Sequence, residues 1–177
     1  KMYQLNEAVV KKVFYNLSDS VENIALAMYM SELICEAVVP DEASNDILRL
    51  FLNCMHMLCE GKWTLLMTKA AFEMRLMSDV GFRPSLVGCK RCNEYENEMF
   101  WFDALGGYLI CPKCKQPYDE NCFACDAPVV LALRYLALAD LEKMFTFTLK
   151  GFSLIRLSQV CERYVLNHTK DNYKTLD

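Results

Sequence analysis

Apolar residues recur at three- and four-residue intervals from about residue 19 to residue 80, a spacing that predicts helices. Before them, "MYQLNEAVVKKVFYNL" (2–17) is amphipathic without a clear period; "MYQLNEAVV" suits a strand and "KKVFYNL" a short helical turn. Asp19 and Glu22 stand at capping-box spacing and open the first helix. Its apolar face is read from positions 21, 24, 25, 28, 33, 34, 37 and 38, and Pro40 closes it. A second helix is predicted over about 45–60, capped by Ser44 or Asn45, with Ile47, Leu48, Phe51, Leu52, Met55 and Leu58 as its stripe. Gly61 suits the left-handed position after it. A third helix over about 63–80 ends at Gly81, and Pro84 forbids its continuation.

The pattern then changes. Between 85 and 127 helical periodicity fades; "MFWFDA" reads as a strand, "LGG" as a turn and "YLIC" as a returning strand. "KQPYDENCFACDAP" reads as a polar, proline-containing connection. Pro128 takes a favoured first-turn position, and "PVVLALRYLALADLEKM" is helical again. "FTFTL" is short and β-prone. A last helix runs from about Ser153 to Asn167, with Leu154, Ile155, Leu157, Val160, Cys161, Tyr164 and Val165 on its buried face. The prediction is a mainly α fold: a helical bundle body (19–84 and 128–177) interrupted by a small four-cysteine zinc-ribbon-like β insertion (85–127) that projects from it.

Composition narrows the picture. With 54% hydrophobic and 12% aromatic residues, the chain of 177 residues buries a real core and is not disordered. The longest apolar candidate for a membrane span, "VVLALRYLALADL", is broken by Arg134 and Asp140, so no membrane association is expected. A net charge of −4 is unlike a dedicated nucleic-acid binder. Ten cysteines occur without a secretory signal pattern. Cys35, Cys54, Cys59 and Cys161 stand singly inside apolar helical patterns and read as buried free thiols, which fits a reducing cytoplasm. The chain opens on Lys1 and reads as a fragment of something longer.

In that compartment, paired cysteines point to metal or redox chemistry. Cys89 and Cys92 form one Cys-x-x-Cys pair and Cys111 and Cys114 another, 18 residues apart. Each pair sets two thiolates on one side of a tight loop, and a hairpin between the loops would bring four sulfurs into the tetrahedron that Zn²⁺ takes. Four cysteines close the site, and no histidine lies between residues 57 and 167, so one structural zinc is predicted, with no catalytic role. Phe100 and Phe102 would share one face of the strand, and Met99 and Trp101 the other. A third pair, Cys122 and Cys125, could replace one of the others as ligands, could be a redox pair, or could be incidental. His56 reads as a core or boundary residue, and His168 as a cation at a helix C-terminus. The methionines of the helices read as core filler. No nucleophile elbow, P-loop or dinucleotide fingerprint is present, so no enzyme is expected.

"AAFEMRLMSDVGFRPSLVGCKRC" followed by "FWFDALGGYLICPKC" resembles the bacterial RecO family of recombination mediators, in its C-terminal part. "YMSELICEAVVPDEASNDILRLFLNCMHML" is similar to that family's first two body helices, and "YVLNHTKDNYKTLD" to its closing segment. The resemblance implies a helical body interrupted by a four-cysteine zinc module, preceded by an OB-fold barrel. Here the barrel is absent, and residues 1–18 look like its last strand and the link to the body. Cys122 and Cys125 fall outside the family motif. The function implied is non-enzymatic, cytoplasmic and nucleoid-associated: DNA repair and recombination through single-strand annealing and help in RecA loading. The partners implied are a RecR-type protein, single-stranded DNA and the acidic, apolar C-terminal tail of single-strand-binding protein. Such a tail wants an apolar pocket rimmed by cations, and the helices carrying Arg134, Arg156 and Arg163 are the expected place. Two other classes stay open: a zinc-ribbon adaptor of another pathway, and a thiol-redox protein using Cys122 and Cys125.

Overall fold

The computed structural model describes residues 4, 6–10, 13–38, 45–119 and 121–169. Among the described residues, five α-helices and one four-stranded sheet form, besides two short 3-10 turns: α1 (Val21–Ala37), α2 (Asn45–Cys59), α3 (Leu65–Asp79), β1 (Ser85–Cys89), β2 (Met99–Asp103), β3 (Tyr108–Ile110), β4 (Cys122–Asp126), α4 (Ala127–Leu138) and α5 (Gly151–His168).

Local chemistry sets most helix ends. Ser20 caps α1 by accepting from the amide of Asn23; Asp19, one residue earlier, lies in a short 3-10 turn (Tyr15–Asp19). The expected Pro40 stop and the Ser44 cap lie outside the described residues. Thr64 and Asp126 cap α3 and α4 in the same way. Gly61 and Gly81 adopt positive φ, as the helix ends before them require. Among the described residues of 4–10, none forms a strand. Helix α4 stops at Leu138, earlier than its apolar run suggests, and "FTFTL" holds the end of a 3-10 turn (Met144–Thr146), not a strand.

Helix α3 is the central element. Ten of its residues are buried, and it packs most extensively on α5 and also on α1, α2 and α4. Methionines fill this core: Met30, Met55, Met67, Met74 and Met77 are all closed off from solvent. The face of α1 differs from expectation in its first half; Leu33, Ile34, Ala37 and Val38 lie in the core or against it as expected. Leu26, Ala27, Tyr29, Met30 and Leu33 point inward, while Val21, Ile24, Met28 and Cys35 are exposed. Apolar residues lie nearly all round α1, so periodicity alone could not set its phase; Leu26, Met30 and Leu33 are buried on the inward side, and there the Tyr29 hydroxyl donates to Glu73 across the core at 2.6 Å. On α2 the expected Ile47, Met55 and Leu58 point inward together with Leu50, Cys54 and Met57, while Leu48 and Leu52 face out; on α5 Ile155 does so too.

The sheet runs in the order β1-β3-β2-β4, with β1 parallel to β3 and the other pairs antiparallel. Two strands had no sequence signal: β1, and β4, which forms from part of the expected polar connection. Phe100 and Phe102 share one buried face, as alternation predicts, with Leu109 and Cys125 beside them. That face is continuous with the helical core. Phe102 meets Tyr164 of α5 edge-on with ring centroids 5.6 Å apart, and the Tyr164 hydroxyl donates to the carbonyl of Phe82 at 2.9 Å. The insertion therefore docks on α4 and α5 instead of projecting, because its own small sheet has an apolar face that only the helices can cover. Gly107, at φ 66°, turns the β2–β3 hairpin where a Cβ would stand 2.8 Å from the Tyr164 hydroxyl oxygen.

Candidate metal centre

Parallel pairing brings the two Cys-x-x-Cys loops together. Cys89 ends β1 and Cys111 follows β3, so parallel neighbours deliver both loops to the same end of the sheet. The β2–β3 hairpin alone, which the spacing suggested, does not do this. The amide of Lys90 donates to the carbonyl of Leu109 at 2.8 Å, which locks the first loop beside the second. Gly88 is needed at the approach: a Cβ there would lie 2.9 Å from the carbonyl oxygen of Glu94. Asn93 takes the left-handed turn at φ 60° that lets the loop double back.

The result is one cluster. The sulfurs of Cys89, Cys92, Cys111 and Cys114 all lie within 4.8 Å of one another, and Cys92 Sγ is 3.5 Å from Cys111 Sγ. A tetrahedron with Zn–S bonds of ~2.3 Å has edges of ~3.8 Å. The donor set fits a thiophilic dication. The amides of Cys111 (3.3 Å) and Arg91 (3.5 Å) point at Cys89 Sγ, as they do toward a thiolate. Despite desolvation, these amide bonds draw the Cys89 thiol down to about 6. Hydrogen bonding with the Cys92 and Cys111 thiols pushes Cys114 up to about 12, because four thiols so close cannot all ionise without a cation between them.

A surrounding network holds the loops. Arg91 clamps Asp119 with two bonds of 2.7 and 2.9 Å and also donates to the carbonyl of Cys114, so the first loop is tied to the segment after the second. The Asp119 carboxyl is held below its usual range chiefly by Arg91. Lys115 Nζ donates to the Asp119 carbonyl at 2.6 Å. Sequence reasoning missed Asp119, since nothing in its local pattern marks it as a clamp.

Cys122 and Cys125 stand apart from the cluster. On β4 they are three residues apart and so face opposite sides of the sheet. Cys125 is paired opposite Phe100 in the core, and burial pushes its thiol up to about 12. Burial and Asp103 push Cys122 up to about 11. Neither thiol has the lowered pKa that redox chemistry uses.

The three arginines have different surroundings. Arg134 of α4 donates to the carbonyls of Leu86 (2.7 Å), Val87 (3.0 Å) and Tyr95 (2.9 Å) and lies 4.4 Å from the centroid of the Tyr95 ring. It latches the metal-loop region to the helical body. Arg156 of α5 lies over the Phe152 ring at 5.7 Å and lines a small cleft with Met99 and Ala124. Arg163 is exposed, seven residues further along the same helix. His56 is half-buried, with Nδ1 3.9 Å from Glu60. The His168 ring packs tilted against Tyr164, with centroids 4.3 Å apart, and meets Phe82 edge-on at 5.4 Å, with Nδ1 2.8 Å from the carbonyl of Tyr164.

A family described as "Recombination protein O C terminal" matches residues 18–177. The chain belongs to this family. Among its relatives, DNA repair protein RecO of Acetivibrio thermocellus is 26% identical over 99% of this chain and 70% of its own length. DNA repair protein RecO of Alkaliphilus metalliredigens is 25% identical over 99% of this chain and 72% of its own. RecO of Caldicellulosiruptor saccharolyticus is 26% identical over 81% of this chain and 57% of its own. The family places the chain among DNA repair and recombination proteins. Within it, the four-cysteine cluster is a site that could hold a metal ion, and no described helix is long and apolar enough to cross a membrane.

One expected result concerns the latch. Arg134→Ala should cost about 2–3 kcal/mol, because three carbonyls lose a charged donor together. Arg134→Lys should recover less than half of it, since an ammonium cannot serve three carbonyls and stack as well. Urea denaturation reads both values.

Proposed function

We propose that the chain is the zinc-stabilised C-terminal part of a non-enzymatic recombination mediator of the RecO type. The observation that carries it is the four-sulfur cluster at the ends of two parallel strands, in a chain of this family. In this reading one structural Zn²⁺ is held by Cys89, Cys92, Cys111 and Cys114. Residues 85–127 are the metal-folded module, and 19–84 with 128–177 are the body that carries it. The chain works in the cytoplasm at the nucleoid. It helps to anneal single-stranded DNA and to load RecA, together with a RecR-type partner and the acidic tail of single-strand-binding protein. The best-supported place for that tail is the α5 face that carries Arg156, Arg163 and the exposed Phe152, where two cations seven residues apart share one side of a helix beside an aromatic ring. Arg134 contributes indirectly, since its guanidinium is already bonded to backbone.

The thiol-redox reading is disfavoured by the raised thiols of Cys122 and Cys125 on opposite faces of β4. The test is zinc per chain, followed by titration of fluorescent single-stranded DNA at two salt concentrations, with and without an acidic tail peptide. One zinc, with salt-dependent DNA binding or peptide binding lost in Arg156→Glu/Arg163→Glu, is the expected result. One zinc with neither activity would favour an adaptor of another pathway, and absence of zinc would overturn the metal assignment.

A further inference from the structure

A cleft of about 520 Å³ lies between the 95–98 segment, which follows the first metal loop, and helix α4. Its size is that of a site for one or two large side chains. Its walls are apolar: Phe100 and Val130 are buried behind it, and Tyr95 and Leu131 are 54% and 61% exposed along it. The charge at its mouth has one sign. Glu96 and Glu98 line it and are exposed, and neither forms an ion pair among the described residues. Arg134 is the one cation among the described residues that line it, and its guanidinium is turned onto three backbone carbonyls and the Tyr95 ring. A carboxylate entering this cleft would meet two carboxylates and a cation whose donors are already engaged.

We propose that this cleft is a docking site for a partner-protein segment that presents a large apolar side chain flanked by lysine or arginine. The apolar side chain fills the space between Tyr95 and Leu131, and the flanking cations pair with Glu96 and Glu98. The occupant is thus opposite in charge to the acidic tail assigned to α5, and the two surfaces accept different partners. This inference goes beyond the mediator reading, and its test is separate from the DNA and acidic-tail titrations.

The probe is a fluorescein-labelled, capped peptide Lys-Lys-Leu-Phe-Lys-Lys, with Glu-Glu-Leu-Phe-Glu-Glu as its charge-reversed counterpart, read by anisotropy on the zinc-loaded chain. The basic peptide should bind, and more weakly as salt rises. The double variant Glu96→Gln/Glu98→Gln, at two exposed positions, should weaken it about threefold to tenfold, as two exposed ion pairs allow. Leu131→Asn, also exposed, should weaken it independently, with an unchanged circular dichroism spectrum in both variants. The proposal is overturned if the acidic peptide binds as well as the basic one. It is equally overturned if neither peptide binds, or if both variants bind the basic peptide like the parent.

Discussion

Cys111→Ser is expected to remove the metal and loosen the sheet in a single step. Cys111 is fully buried and sits between Cys92 and the β3 strand, so its loss opens the cluster and the end of the parallel β1–β3 pair. Metal content should fall from one zinc per chain toward none. Zinc-finger peptides gain ~10–16 kcal/mol of apparent folding energy from their metal. Here the sheet is also held by Phe100, Phe102 and Leu109 against the helices, so only part of that is at stake. A loss of at least ~3 kcal/mol is expected, or about 6–12 °C in Tm for a chain of this length. Calorimetry with metal analysis reads both. Two controls separate ligand from bystander. Cys122→Ser should keep one zinc, because Cys122 lies outside the cluster on β4. Cys35→Ser, at an exposed thiol, should change stability by no more than ~0.5 kcal/mol. Full zinc in Cys111→Ser would refute the assignment of the cluster.

The sequence revealed the cysteine cluster but not the way it is assembled. Cys-x-x-Cys spacing is local chemistry and survives any topology, so all four residues could be named. The parallel β1–β3 pairing depends on contacts far apart in sequence. "SLVGC" is a short segment behind a proline, and nothing in it announces a strand. β4 was hidden for a related reason: "CFACD" becomes a strand because β2 offers an unpaired edge and the core takes Cys125, neither of which is local. The helices were legible where polar residues marked one side. They were less legible in the first half of α1, where apolar residues surround the axis and Tyr29, with its buried hydroxyl on Glu73, faces inward. The role of Arg134 was invisible for the same reason as β1, since its acceptors are carbonyls, which every residue carries.

That buried hydroxyl belongs to the second large effect. Glu73 is completely buried on α3, accepting from Tyr29 at 2.6 Å and lying 2.8 Å from Lys69 Nζ, which also meets Glu162 of α5 at 2.6 Å. Its second carboxylate oxygen, Oε2, has no partner among the described residues. Burial raises the Glu73 carboxyl above its ordinary value; the attraction of Lys69 and the Tyr29 bond offset only part of this, and Glu162 adds to the rise. Lys69→Met should therefore cost about 3–5 kcal/mol at neutral pH, the usual result of stranding one buried charge. The sign of the pH dependence follows from the raised carboxyl. The folded state holds the Glu73 proton more tightly than the unfolded state, whose value is 4.5. Stability from this group is thus full below 4.5 and falls as pH rises toward the folded value. Removing Lys69 lifts the folded value further, so the deficit of Lys69→Met should grow from mildly acid to neutral pH. Lys69→Met/Glu73→Leu should recover most of the loss and flatten the pH profile, less the Tyr29–Glu73 hydrogen bond that it also removes. Denaturant melts of the three proteins across pH 5–8 read this directly. A Lys69→Met deficit that stays constant over that range would mean that Glu73 does not carry the buried charge.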